Sequence, residues 1–493
     1  MRHVIVLALL LGSADAFAQA PAQAPPPAPA TPPVRLGDVV LSGSLRTRAE
    51  AWNWFEGNAD ERYVYPGSLA RISLSRAKPR YDWQVEFAVP FLLELPEHAI
   101  APAPQGQFGL GASYFAANSN RTNVAELFIK QATVRFLNLG GVPGQSLKVG
   151  RMEFIDGTEV VPGNATLAAV KRDRIAHRLL GNFVFSHVGR SFDGAQWALN
   201  RKTLNVTGFA GRPTRGVFVV DGWSELDINV YYGALTGQVG AGAGAGEWRA
   251  FGIGYHDRRG GVLKTDNRVA AARVADTESI DIGTLGGHYL KTVPTEAGVV
   301  DLLAWGAVQI GSWGRLDQRA GAFALEAGWQ PEGLDAVAPW FRGGYNYGSG
   351  DGDRNDGRHG TFFQILPTPR PYARFPFFNM MNTGDGFGEV ILRPSRSVNI
   401  RSDVHVIRLA SRDDLWYAGG GAFQSSTFGF VGRPSSGRTG LATLYDVSGD
   451  YRVNGYASVA VYYGHAAGGS VADAIYANGV DADLGYVELT LRF

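Results

Sequence analysis

Residues 485–493 read GYVELTLRF, and their alternation decides the fold. Gly485, Val487, Leu489, Leu491 and Phe493 fall on one face, while Tyr486, Glu488, Thr490 and Arg492 fall on the other, without a break up to the last residue. A side-chain period of two is a strand, not a helix. One face suits lipid and the other suits water.

The same period recurs along the chain. Val39, Leu41, Gly43 and Leu45 alternate with Ser42, Ser44, Arg46 and Arg48; Trp83, Val85, Phe87 and Val89 alternate with Asp82, Gln84 and Glu86; Ala457, Val459, Val461 and Tyr463 alternate with Tyr456, Ser458 and Tyr462. No stretch beyond residue 20 has the roughly 20 consecutive apolar residues that a membrane helix needs. A transmembrane β-barrel needs no such run, because it crosses with short alternating strands and averages to near-neutral hydropathy. The 65 glycines, the 12% aromatic content, the lack of cysteine and the mean hydropathy of -0.08 agree with that class. An apolar alternation ending on a terminal Phe also resembles the signal read by the machinery that inserts barrels into the outer membrane of Gram-negative bacteria.

The first residues, MRHVIVLALLLGSADAFAQA, place Arg2 before an apolar run and follow it with small residues spaced A-x-A, the layout of a cleaved Sec-type signal. Cleavage is expected after Ala18, giving a signal peptide at 1–18. Residues 19–36, Pro/Ala-rich, are expected to be a flexible lead-in. The barrel is expected over 37–493, as a single all-β, antiparallel domain. At about 25 residues per strand with its connection, that length gives around 18 strands, an allowed even number. Short turns are expected at Arg393-Pro394-Ser395 and Val453-Asn454-Gly455, and long external loops at Pro96 to Asn123, Asp156 to His177 and Gly350 to Asp385, folding inward as a constriction.

Of the 46 basic residues only seven are lysine, which leaves 39 arginines. Arginine keeps its charge in any environment and presents a rigid fork matched to carboxylates. Arg46, Arg48, Arg71, Arg135 and Arg401 fall on the water-facing side of their strands. A ladder of such side chains along a narrow lumen would favour anions. The alternative is charge balance, since 45 acids offset the bases and Glu50, Asp82, Glu86, Asp403 and Glu488 alternate onto the same face.

Several motifs resemble the alginate-export family of outer-membrane barrels. They are LKVGR at 147–151, VGRSFDGA at 188–195, AVQIGSWG at 307–314, GGYNYGSGDGD at 343–353 followed by GTFFQILPT at 360–368, LRPS at 392–395 and HVIRLASRDDLWYAGGGA at 405–422. Gly150-Arg151-Met152 stands where the family usually has GRQ. The resemblance implies an eighteen-stranded, monomeric channel with an electropositive lumen, with Arg151, Arg190 and Asp193 facing the pore. It implies passive export of an anionic polysaccharide of the alginate type, with a periplasmic secretion scaffold as a partner beside the membrane lipid and the assembly machinery. A porin for uptake of small anionic solutes stays open beside it.

The run Asp351, Asp353, Asn355 offers oxygens at alternate positions, like the start of a calcium loop. Position six is Asp356 rather than Gly and position twelve is Phe362 rather than Glu, so a solvated turn is expected and no metal. Nine scattered histidines show no metal-ligand spacing, no cofactor is expected, and Ser186 with His187 is the nearest approach to a nucleophile and base. The chain is therefore expected not to be an enzyme. Near-neutral net charge, with basic residues spread by strand period, argues against nucleic acid.

Overall fold

In the computed structural model of the protein, which describes residues 34–493, long antiparallel strands join edge to edge into a closed barrel. In chain order they are β1 Val39–Asn53, β2 Arg62–Ala77, β3 Tyr81–Leu92, β4 Phe128–Leu137, β5 Gln145–Met152, β6 Phe192–Asn200, β7 Leu204–Pro213, β8 Ile228–Val239, β9 Gly246–Asp257, β10 Ile280–Thr295, β11 Gly298–Trp313, β12 Leu316–Pro331, β13 Trp340–Gly348, β14 Thr383–Ser395, β15 Val398–Leu409, β16 Gly440–Arg452, β17 Ala457–Gly468 and β18 Asp481–Arg492. The sheet has 21 strands, of which Val34–Leu36, Val124–Ala125 and Arg358–His359 are short additions, leaving 18 in the wall. Ser44 of β1 lies opposite Arg71 of β2 on one side and opposite Arg492 of β18 on the other, so no strand edge is left open.

The period-two reading is met on the lipid face. Val487, Leu489, Leu491 and Phe493 all project outward and are exposed, as are Ile72, Leu285, Val308, Ile310 and Leu325 on other strands. Exposed rings cluster toward both rims, with Trp329, Phe341, Tyr451 and Tyr456 near the short-turn end and Tyr231, Tyr345, Tyr445 and Tyr463 nearer the loop end. Such aromatic girdles sit at membrane interfaces. Among the described residues, no helix is long and apolar enough to cross a membrane.

One end of the barrel carries tight turns and the other carries the loops, the asymmetry of outer-membrane barrels. The turn at 453–456 stands as expected, with the Asn454 side chain accepting from Tyr456 N at 2.8 Å and Ala457 N at 2.9 Å. The turn expected at 393–395 is corrected. β14 continues through Ser395, which pairs with Val398, and the chain reverses at residues 396–397. Pro394, with no N–H to donate, is absorbed in a register irregularity between Leu392 and Ser395. Cleavage after Ala18 and residues 19–33 of the lead-in lie outside the described residues. Val34–Leu36, also expected in the lead-in, instead pair back onto Val39–Leu41.

The three expected external loops run over 93–127, 153–191 and 349–382, so that Asp385 belongs to β14. The loops carry four helices, α1 Gly109–Ala117, α2 Ala165–Arg174, α3 Ala270–Ala275 and α4 Ser470–Ile475, and α2 reaches down the barrel to the short-turn end, where Asn164 donates to Gly242 O at 2.9 Å. For α2 the local cause is plain. The Asn164 side chain caps the first turn by accepting from Leu167 N, and Lys171, Arg172 and Arg174 sit in the last turn against the negative end of the helix dipole.

Candidate pore constriction

Loop 153–191 does not extend away from the barrel; it folds into it. On β1, Arg46 and Arg48 point inward and hold the loop tip by three successive carbonyls. Arg46 donates to Val184 O at 2.7 Å and Ser186 O at 2.5 Å, and Arg48 donates to Phe185 O at 2.6 Å. Arg48 also donates to Glu488 at 2.9 Å and Glu50 at 2.8 Å, and its guanidinium lies 3.9 Å from the Phe185 ring centroid.

On the opposite wall α2 is clamped. Arg174 binds both oxygens of Glu326 on β12, at 2.8 and 3.0 Å; Arg342 of β13 reaches the same carboxylate at 3.2 Å and Arg178 at 3.5 Å. Arg342 is shared with Asp301, while Lys171 pairs with Glu247 at 2.6 Å. All these groups are buried. Loop 153–191 therefore bridges the lumen from wall to wall.

Loop 349–382 descends beside it. Gly181 N donates to Leu366 O and Leu366 N to Leu179 O, both at 2.9 Å, so that 180 and 366 form a short parallel bridge inside the barrel. Arg190 fastens three segments at once. It donates to Gly181 O at 2.9 Å, Leu366 O at 2.7 Å and Gly421 O at 2.5 Å. Burial among carbonyls, with no acid in contact, pushes its pKa down to about 9, which leaves it charged at neutral pH.

The remaining arginines singled out from the sequence each have an acid. Arg71 binds Glu86 and Glu153 at 2.5 and 3.3 Å. Arg135 binds Asp82 at 2.6 Å near the short-turn end and is half exposed. Arg151 grips Asp193 with two bonds, at 2.7 and 2.6 Å, a fork-on-carboxylate geometry. It stands directly after Gly150, whose φ of +119° and whose 2.1 Å approach of an added Cβ to Ala132 O admit only glycine. Arg401 binds Glu389 at 2.6 Å and Asp403 at 2.7 Å. The fold thus brings Arg46 to Arg48 and Arg151 to Asp193, and leaves Arg71, Arg135, Arg190 and Arg401 in separate clusters.

Sequence reasoning missed the cations that have no acid. Arg370 and Arg374, in the descending segment PRPYAR, and Arg393 on β14 make no ion pair within 4 Å among the described residues, and all three are partly exposed. Arg370 lies 3.5 Å from the Phe185 ring centroid and 5.1 Å from that of Tyr462. Arg401 donates to Pro371 O at 3.3 Å, which places this segment near the short-turn end of β15. Two arginines as the only charges between residues 360 and 382 are the signal that could have found them. A second missed group is the Glu326 clamp, legible only as a lone acid within AFALEAGW at 322–329.

The other candidates are engaged locally. Ser186 Oγ accepts from Gly189 N at 2.8 Å rather than meeting His187, whose ring nitrogens have no hydrogen-bond partner among the described residues and whose pKa burial holds well below its usual value. Asp351 and Asp353 each accept from the backbone N–H two residues on, at 3.1 and 3.0 Å, as serial Asx turns, and Asn355 donates its own N–H to Asp353.

A closed barrel of this strand number, apolar outside, with inward loops narrowing the lumen, is an outer-membrane β-barrel channel. The chain belongs to the alginate export family, whose model matches residues 41–482. Solved structures share the fold at low identity. OccK9 (OpdG) of Pseudomonas aeruginosa is 9% identical with a TM-score of 0.55, covering 92% of this chain and 99% of that one. OccAB2 of Acinetobacter baumannii is 9% identical with a TM-score of 0.54, covering 92% and 98%. OpdK of Pseudomonas aeruginosa, solved with vanillate, is 8% identical with a TM-score of 0.53, covering 92% and 98%. No curated protein matches the chain.

Proposed function

We propose that the protein passively conducts an anionic polysaccharide, an alginate-like polyuronate, out of the periplasm through an anion-favouring lumen. The observation that carries this reading is the charge at the constriction. Among the described residues Arg370, Arg374 and Arg393 have no carboxylate within 4 Å, whereas Arg48, Arg71, Arg342 and Arg401 on the wall are each paired with one. Unmatched guanidinium groups on a narrow, low-dielectric path attract carboxylates strongly.

The test is a double charge reversal, Arg370→Glu with Arg374→Glu, in a planar bilayer. Polymannuronate should block the parent channel and lose at least tenfold in blocking potency on the variant. Equal block in both would contradict the role given to this segment.

A second reading, a porin taking up small anionic solutes, is favoured by the packing of the loops. Phe183, Leu366 and Arg190 fill the centre where 153–191 meets 349–382, and a passage that narrow suits a small solute. OpdK, which shares the fold, was solved with a small carboxylate. Block by monomeric carboxylates with indifference to the polymer would favour it.

A further inference from the structure

Three neighbouring strands place a row of acids on the inner face of the wall. Glu389 of β14 is directly opposite Asp403 of β15, and Asp403 is directly opposite Asp446 of β16. Side chains directly opposite on one face of a sheet are close neighbours, and like charges there destabilise. Arg401 serves the first two acids. Asp446 is buried beyond its reach. Its Oδ1 accepts from the Tyr462 hydroxyl, and its Oδ2 has no partner among the described residues.

Two residues after Asp403, and so on the same face, stands His405, which is fully buried. Its Nδ1 is bonded to Asp385 Oδ1 at 3.0 Å, and Asp385 is itself held by Asn346 at 3.1 Å. Its Nε2 has no partner among the described residues. One donor atom from each of Asp403, His405 and Asp446 lies within 4.8 Å of the other two. Ligand atoms around a tetrahedral zinc ion at about 2.0 to 2.1 Å lie about 3.3 Å from one another, so side-chain rotations that draw the three inward by up to about 1.5 Å bring them to one ion. A carboxylate on Nδ1 fixes the imidazole tautomer and leaves Nε2 free to ligate, which is the usual outer-shell arrangement of a metal-binding histidine. Gly464, opposite Asp446, makes room for the Tyr462 hydroxyl on Asp446 Oδ1, since a Cβ there would lie 2.2 Å from the former and 2.5 Å from the latter.

The charge balance points the same way. Asp385, Glu389, Asp403 and Asp446 are four carboxylates, faced within salt-bridge distance by Arg401, by His405 if protonated, and by Arg342 at 3.9 Å, which Asp301 and Glu326 already claim. Arg370 and Arg374 stand farther off. A divalent ion between Asp403 and Asp446 removes the like-charge opposition and occupies both orphaned atoms. We propose that Asp403, His405 and Asp446 bind one divalent transition-metal ion on the inner wall of the barrel, with zinc best suited to one imidazole and two carboxylates.

The test uses the untagged, full-length barrel in detergent, stripped with a chelator, dialysed and titrated with Zn2+ alone, with metal counted by mass spectrometry and Co2+ absorption read in parallel. One tight Zn2+ per chain is expected. His405→Gln and Asp446→Asn should each weaken it at least tenfold while heat-modifiable mobility is unchanged. Asp385→Asn keeps all three ligand atoms and should still weaken binding by about 10- to 100-fold through loss of the tautomer lock. If His405→Gln fails to fold, Asp446→Asn, nearly identical in shape, decides alone. No saturable binding to the parent protein would overturn the proposal, as would binding unchanged in the foldable variants, for instance at His256 with Asp281 on the barrel rim.

Discussion

Replacing Glu326 by Gln changes one buried oxygen to nitrogen and little else in shape, yet Arg174, Arg178 and Arg342 all converge on that carboxylate. Arg342 retains Asp301, but Arg174 and Arg178 are left buried beside an amide. Removing one partner of a buried ion pair costs about 3 to 5 kcal/mol. Each 1.4 kcal/mol is about tenfold in an equilibrium, so the docking of α2 on the wall should weaken by between about two and nearly four orders of magnitude. The tip of the same loop is held independently by Arg46 and Arg48, so the effect should be local undocking rather than unfolding of the barrel. Limited trypsin digestion reads this directly, because Lys171, Arg172 and Arg174 lie in α2 itself. The parent protein should resist cleavage there, and the variant should be cut at least a hundredfold faster and show larger, noisier single-channel currents. Equal cleavage rates and an unchanged current would refute the view that the Glu326 clamp holds the constriction.

Arg48→Ala should destabilise the barrel by roughly 3 to 5 kcal/mol in urea unfolding, because Glu50, itself buried, keeps only Trp52 as a partner; a loss below 1 kcal/mol would contradict this. Leu489→Arg places a charge on the lipid face and should cost about 2 to 4 kcal/mol if near the bilayer midplane, read as loss of heat-modifiable mobility. Asp414, in loop 410–439, has its pKa raised to about 6 by burial, which outweighs its hydrogen bonds from Thr361, Tyr417 and the N–H groups of Asp351 and Leu415. The folded loop therefore binds the proton more tightly than the unfolded one, so this stabilisation is full below the ordinary carboxylate range and is lost as pH rises through about 6. Hydrogen exchange over 349–364 and 410–418 should accelerate from pH 5 to pH 8 beyond the intrinsic pH effect, and Asp414→Asn should abolish the excess.

The wall was legible because its signal is local. A period of two, repeated from Val39 to Phe493, fixes which side chains meet lipid, and residues 487, 489, 491 and 493 all do. The strand number followed from length, since turns at one end of such barrels are short. The path of the loops was not legible in the same way. Arg46 and Arg48 point inward as their alternation implies, but beside Glu50 and Glu488 their partners are the carbonyls of residues 184–186, and a carbonyl is present at every position and marks none. The clamp pairs Arg174 with Glu326, 152 residues apart, through a route that no spacing encodes. Arg370 and Arg374 were passed over because they belong to no strand, although the apolar stretch around them makes two charges conspicuous. The Asp403, His405 and Asp446 group shows no metal-ligand spacing in the sequence because it is written across two strands, at i, i+2 and the directly paired residue.

The proposed conduction of anions rests on Arg370, Arg374 and Arg393 being exposed to the permeating solute. The most direct measurement is the zero-current potential of the purified protein in a planar bilayer under a potassium chloride gradient, followed by addition of polymannuronate to one side. The expected result is a potential displaced toward the chloride equilibrium value and a current that the polymer blocks. A potential near zero, or displaced toward potassium, with a current indifferent to polymer, would contradict an anion-favouring polyuronate channel.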